Sequence, residues 1–213
     1  MNCKTAATLL AAASLLPACA MMNAPTGTIS RADAITDGSW QSVATPADRA
    51  RIRDWWPAWQ AALASARSGS HSAEIAAEGP LLEPLAALPN PHLPPGTYRC
   101  RTIKLGSPGG TLSYVAYPYF QCRVDAEQDM FSLTKLTGSQ RQTGLIFDDS
   151  DRRKIFLGTL ALGDEARAMD YGADADRNVA GLVERIGPTR WRIVFPRPAF
   201  ESIVDVMELV PEG

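Results

Sequence analysis

Beyond Gly96 the apolar and polar positions alternate with a period of two, the spacing of a strand with one buried face. TYRCRTIKL (97–105) and LSYVAYPYFQCRV (112–124) are the first two such runs, joined through a GSPGG turn. Six more follow: MFSLTKL (130–136), TGLIFDD (143–149), KIFLGTLALG (154–163), NVAGLVERI (178–186), RWRIVFP (190–196) and SIVDVMELV (202–210). Turn-forming breaks separate them, among them TGSQRQ, DSDRR and GPT. Eight short strands at spacings of roughly 8–14 residues predict an antiparallel meander, closed into a small barrel or packed as a sandwich. Pro118 has no N–H for a ladder and predicts a bulge or an edge in the second run.

Before Gly96 the period is helical. Thr45 fits an N-cap, Pro46 the first helical position, and Asp48 completes a T-x-x-D capping signature. In RIRDWWPAWQAAL (51–63), a rotation of about 100° per residue puts Trp55, Trp56 and Trp59 in one arc with Ile52 and Leu63. Pro57 lies off that arc, where it can bend the helix without interrupting the stripe. The arc favours burial against the sheet, capping one mouth or flank, over a ligand platform or membrane contact. A shorter helix opens at SGSHSAE with Ser72 as its cap, and Gly79-Pro80 ends it. GPLLEPLAALPNPHLPP then holds six of the sixteen prolines, which predicts an extended connector. The fold class is therefore α+β, an N-terminal amphipathic helix packed on an eight-stranded antiparallel meander, with the barrel favoured.

The N-terminus changes the picture. One cation, Lys4, precedes TAATLLAAASLL, an apolar run too short to span a membrane and suited to an export signal. Leu16-Pro17-Ala18-Cys19 resembles a lipobox, which makes Cys19 the predicted lipidation site and residues 1–18 the signal. The alternative is ordinary cleavage after Ala18-Cys19-Ala20, giving a signal of 1–20 and a soluble periplasmic protein. Ala20, in place of a retention aspartate, resembles the sorting signal of outer-membrane lipoproteins. The predicted organisation is a tether over 19–44, a helical segment and connector over 45–95, and the β domain over 96–211. Cys3 and Cys19 aside, Cys100 and Cys122 remain as a pair in an oxidising compartment, and a disulfide is expected.

Charge and chemistry narrow the function only by exclusion. A net charge of −2 with scattered cations gives no reason to expect nucleic acid as a partner. His71 and His92 fall in linker-like segments, and there is no G-x-S-x-G, H-E-x-x-H or P-loop pattern. No metal or cofactor is expected: FDDSDRR and MDYGADADRN gather carboxylates without completing a calcium loop. Two charges break apolar strand faces. Lys135 shares a face with Phe131 and Leu133, and Asp205 one with Ile203, Met207 and Leu209. A charge directed into a barrel is costly unless paired or solvated. These residues mark a candidate pocket or a buried Lys135–Asp205 pair; the alternative is that both faces point outward near strand ends.

The blocks YRCRTIKLG, YPYFQCRV, LTKLTGSQRQTG, FLGTLALGDEARA, AGLVERIG and RWRIVFPRP resemble an exported bacterial family known as domain of unknown function 4893. The likeness runs from Trp40 to Pro211 and implies no activity, ligand or catalytic residue. The leading expectation is a lipid-anchored envelope protein acting as a non-enzymatic barrel that binds an apolar or amphipathic small molecule. The alternatives are a structural or protein-interaction role in the envelope and a carboxylate-based hydrolase.

Overall fold

The computed structural model describes residues 39–109, 113–127 and 130–213. The predicted signal, Cys19 and most of the predicted tether lie outside the described residues. Among the described residues nine antiparallel strands follow four helices: β1 Gly96–Leu105, β2 Tyr114–Ala116, β3 Phe120–Glu127, β4 Met130–Lys135, β5 Gln140–Asp148, β6 Lys154–Leu162, β7 Asn178–Gly187, β8 Arg190–Pro196 and β9 Val204–Pro211. Each strand from β3 onward pairs with the next, β1 pairs with β3, and β9 returns to β1. Eight strands thus close a barrel, and closure leaves no long edge for a stray strand to join. The second predicted run is two strands. Pro118 divides it, so that β2 and β3 lie along opposite halves of the same edge of β1.

Register decides what faces inward, because residues directly opposite each other share a face. Tyr98, Cys100, Thr102 and Lys104 stand opposite Pro211, Leu209, Met207 and Asp205. Cys122, Val124 and Leu133 continue that inner layer through Ile146, Phe156, Val183 and Ile193. Phe156 and Phe195 meet edge to face at 5.8 Å across the lumen. A Cβ on Gly181 would lie 2.9 Å from the Phe195 ring, so a glycine makes room for it. The lumen is filled by its own side chains. Cys100 and Cys122, both on the inner layer of adjoining strands, form the expected disulfide.

The helices brace the outside of the wall. Thr45 Oγ1 accepts the N–H of Asp48 and caps a helix over Pro46–Arg53, α2; the short turn Trp40–Val43 is α1. Trp40 is buried and donates to Asp149 Oδ1 at 2.8 Å, so docking begins inside the segment expected as tether. The tryptophan helix is not one bent rod. Pro57 lacks the N–H that would bond Arg53 and crowds its carbonyl, so the chain breaks at Asp54 and restarts as α3, Trp55–Ser68. The buried face of α3 is Ala58, Trp59, Ala62, Leu63 and Ala66. Small alanines draw it close to the wall: a Cβ on Gly106 would lie 3.0 Å from Ala62 Cα. The covered arc is therefore centred on the alanines and leaves Trp56 half-buried at its margin. Helix α4, Ser72–Glu78, and a 3₁₀ turn over Gly79–Leu81 lead into the proline-rich connector. His71 occupies the cap position one residue before the expected Ser72.

The connector is extended as predicted, yet it is packed. Leu81, Leu82, Ala87 and Leu93 are buried, and Leu88 N–H bonds Arg185 O at 2.8 Å. Leu93 closes one end of the barrel with Tyr98 and Trp191, whose polar atoms donate to the connector carbonyls Pro94 O and His92 O. Arg192 anchors the connector from the outer face of β8. It donates to Glu184 at 2.8 Å and to the carbonyls of Pro80, Leu81, Glu83 and Pro84, with Trp59 stacked 4.5 Å from its guanidinium. Arg153 completes Glu184 at 2.6 Å and lies 4.0 Å from the Trp55 ring. Two of the three tryptophans thus cover buried or half-buried arginines, which gives the aromatic cluster a structural role.

Candidate functional site

Opposite the connector, the barrel ends where β1, β4, β6 and β8 finish and β3, β5, β7 and β9 begin. The inward residues there are polar: Thr102 and Lys104 on β1, Lys135 on β4, Gln142 on β5 and Asp205 on β9, each no more than 7% exposed. The alternation that buries Cys100 dictates this, since Thr102 and Lys104 occupy the next two inward positions of the same strand. Both predicted charges therefore point into the barrel rather than outward.

Their pairing differs from the expected one. Asp205 lies directly across the β1–β9 ladder from Lys104, which reaches it at 3.1 Å and Glu201 at 3.2 Å. Ser202 donates to the second oxygen of Asp205. Burial opposes the charge on Lys104, but the two carboxylates outweigh it and raise its pKa. Burial raises that of Asp205, against the pull of Lys104 and Ser202. Lys135 is left aside. Its ammonium lies 4.4 Å from the centre of the Phe120 ring, and it makes no hydrogen bond or ion pair among the described residues. Desolvation, against the attraction of the Asp205 carboxylate and with the nearby positive charges of Lys104 and Arg141, pulls its pKa down to about 8.

These side chains enclose a cavity of about 120 Å³, lined by Thr102, Lys104, Phe120, Lys135 and Gln142, with exposed Tyr117, Ser139 and Glu201 at its rim. Two buried polar atoms on its wall, Thr102 Oγ1 and Gln142 Oε1, have no partner among the described residues. Buried polar atoms are nearly always satisfied, so two orphans beside an unpaired ammonium are unusual. A wider recess of about 440 Å³ adjoins it, sharing Lys104, Tyr117 and Glu201 and bounded by Ser107, Pro108 and Val115.

The acidic clusters and histidines noted in the sequence make the following contacts. Asp174 accepts the backbone N–H of Asp176, and Asp148 pairs with Lys154. Glu78 and Glu208 do converge, but on Arg101, at 2.5 Å each, and Arg190 and Tyr119 also donate to Glu208. Burial works against the charge on Glu208, and those donors still hold its pKa below the usual carboxylate value. His71 stacks on Tyr114 and pairs with Glu74, and the His92 ring edges against Phe131. Among the described residues no helix is long and apolar enough to cross a membrane.

Fold and site together define a helix-braced, closed antiparallel barrel, stoppered at one end and lined with charge at the other. Residues 40–209 match a family model described as Domain of unknown function (DUF4893), and the chain belongs to that family. No curated protein and no solved structure matches the chain.

Proposed function

We propose that the chain is an exported envelope protein, lipid-anchored through Cys19 at the outer membrane, whose barrel binds a small polar ligand at its charged mouth without transforming it. The apolar run after Lys4, the lipobox-like LPAC and the Cys100–Cys122 bond support export. The observation that carries the binding role is the mouth cavity with its orphaned Thr102 and Gln142 atoms and unpaired Lys135. We favour a polar ligand over the apolar one expected from the sequence, because unpartnered hydrogen-bonding side chains line the mouth cavity while the apolar lumen beyond it is packed with its own side chains.

Ligand-observed NMR on the mature chain, with a panel of neutral, cationic and anionic small molecules, tests the binding role. At least one class should bind, and Thr102→Phe, which fills the cavity, should abolish it while the chain stays folded. Equal binding by that variant, or none by any class, would remove the mouth as a site. Mass spectrometry of the native N-terminus tests the anchor: an acylated Cys19 is expected, and a chain retaining Met1 would contradict export.

A further inference from the structure

The mouth cavity has a readable hydrogen-bond inventory. Lys135 offers up to three N–H donors, Thr102 a hydroxyl, and Gln142 a carbonyl oxygen, none of them used among the described residues. The carboxylates nearby make their ion pairs with other cations. Asp205 and Glu201 hold Lys104, and Glu165 is gripped at both oxygens by Arg177. Arg141, at the same end of the barrel, gives its donors to the carbonyls of Gly138, Gly163 and Glu165 and so keeps its positive charge unneutralised. Lys104, Lys135 and Arg141 thus face the two carboxylates Asp205 and Glu201, an excess of one positive charge, and of these cations Lys135 alone has no hydrogen-bonding partner among the described residues.

Size limits the occupant. A cavity of about 120 Å³ is slightly smaller than the ~150 Å³ that admits one benzene molecule, so its ligand has five or six non-hydrogen atoms unless it extends into the neighbouring recess. Donors on two walls call for an acceptor-rich anion. The lone acceptor on Gln142, which β5 places beside the Lys135 end of β4, calls for a donor on that same ligand.

Resting on the binding role proposed above, we infer that the mouth cavity is a site for a small oxyanion that carries a hydroxyl of its own. Its anionic oxygens accept from Lys135 and Thr102, and its hydroxyl donates to Gln142 Oε1. A 2-hydroxycarboxylate and hydrogen phosphate share this chemistry. An anion beside Lys135 supplies the hydrogen-bonded acceptor that the ammonium lacks among the described residues, where burial makes such a partner most valuable.

Titration calorimetry of the mature chain with lactate, inorganic phosphate, acetate and glycerol tests this. Lactate or phosphate should bind, and whichever is tighter identifies the headgroup. Acetate, which lacks the hydroxyl, should bind at least tenfold more weakly than lactate. Lys135→Met should weaken oxyanion binding at least tenfold, and Thr102→Val should weaken it less. Circular dichroism and a thermal melt of each variant separate a lost contact from a lost fold. Unchanged binding by folded Lys135→Met, equal affinity for acetate and lactate, or no binding of either oxyanion would overturn the inference. Glycerol binding alone would overturn it too, while leaving the mouth as a site for neutral ligands.

Discussion

Arg192 and Lys135 are both buried cations of one barrel, one on the outer face of β8 and one inside the mouth on β4, and the protein treats them in opposite ways. Arg192 sits on the outer face of β8 and is wholly covered, yet each nitrogen of its guanidinium is used. Glu184 takes its charge, four connector carbonyls take its remaining donors, and Trp59 covers its plane. Lys135 sits inside the mouth with an aromatic ring beside it and no acceptor among the described residues. One cation holds a connector in place; the other, on the binding role proposed above, is left for a ligand. Stability built around a charge uses it up, whereas a site has to leave it available.

The same exchange at both positions should separate the two roles. Arg192→Met strands Glu184 in a buried place with only Arg153 and strips four carbonyls of their donor. Removing one partner of such a pair typically costs about 3–5 kcal/mol, and urea unfolding should show a loss of that size. A loss below about 1 kcal/mol would mean that the connector is not anchored there. Lys135→Met should act in the opposite direction, because it removes a charge that burial penalises. A gain on the order of 1–3 kcal/mol is expected near pH 7 without ligand.

The pH dependence sharpens the contrast. The folded-state pKa of Lys135, about 8, lies below its ordinary 10.5. Between those values the unfolded chain binds more protons, so wild-type stability should rise with pH across that window, and the Lys135→Met gain should vanish there. A flat profile would place the amine in contact with solvent or with an acid. Lys104→Met is the smallest test. It removes the cation from Asp205, but Ser202 still donates to that carboxylate and Lys135 lies close enough to influence it. A cost of about 1–2 kcal/mol is expected, below that for a buried charge left with no partner. A full 3–5 kcal/mol loss would show that Lys135 cannot take over.

The barrel was legible in the sequence because period-two alternation and turn residues act locally. Pro118 was legible as an interruption, since a missing N–H acts on its own strand. Pro57 was read as a bend and proved a break, because its clash falls on the carbonyl of Arg53, where Asp54 could leave the helix. The face of α3 was displaced toward Ala58 and Ala62, since a helix settles where small residues allow the closest approach, a property of both surfaces. Lys135 and Asp205 stood out by interrupting apolar faces. Lys104 did not, although Cys100 marked the inward face of its strand two pairs earlier. Its partnership with Asp205 depends on β9 closing against β1, a contact more than a hundred residues apart in sequence. The roles of Arg192 and Glu184 were hidden for the same reason: their partners come from a proline-rich segment that reads as a linker until the barrel gives it a wall to lie on.

The most direct test of the open mouth is the titration of the Lys135 amine itself, followed by NMR in the mature, oxidised chain with lysine labelled at its terminal carbon. The chain contains only four lysines, one of them in the predicted signal, and Lys135→Met assigns the signal. Without ligand its midpoint should fall near pH 8, and addition of a bound oxyanion should move it upward. A midpoint near the ordinary 10.5 in the ligand-free chain would mean that Lys135 is already solvated or paired, and the mouth would lose the unmet charge on which its role rests.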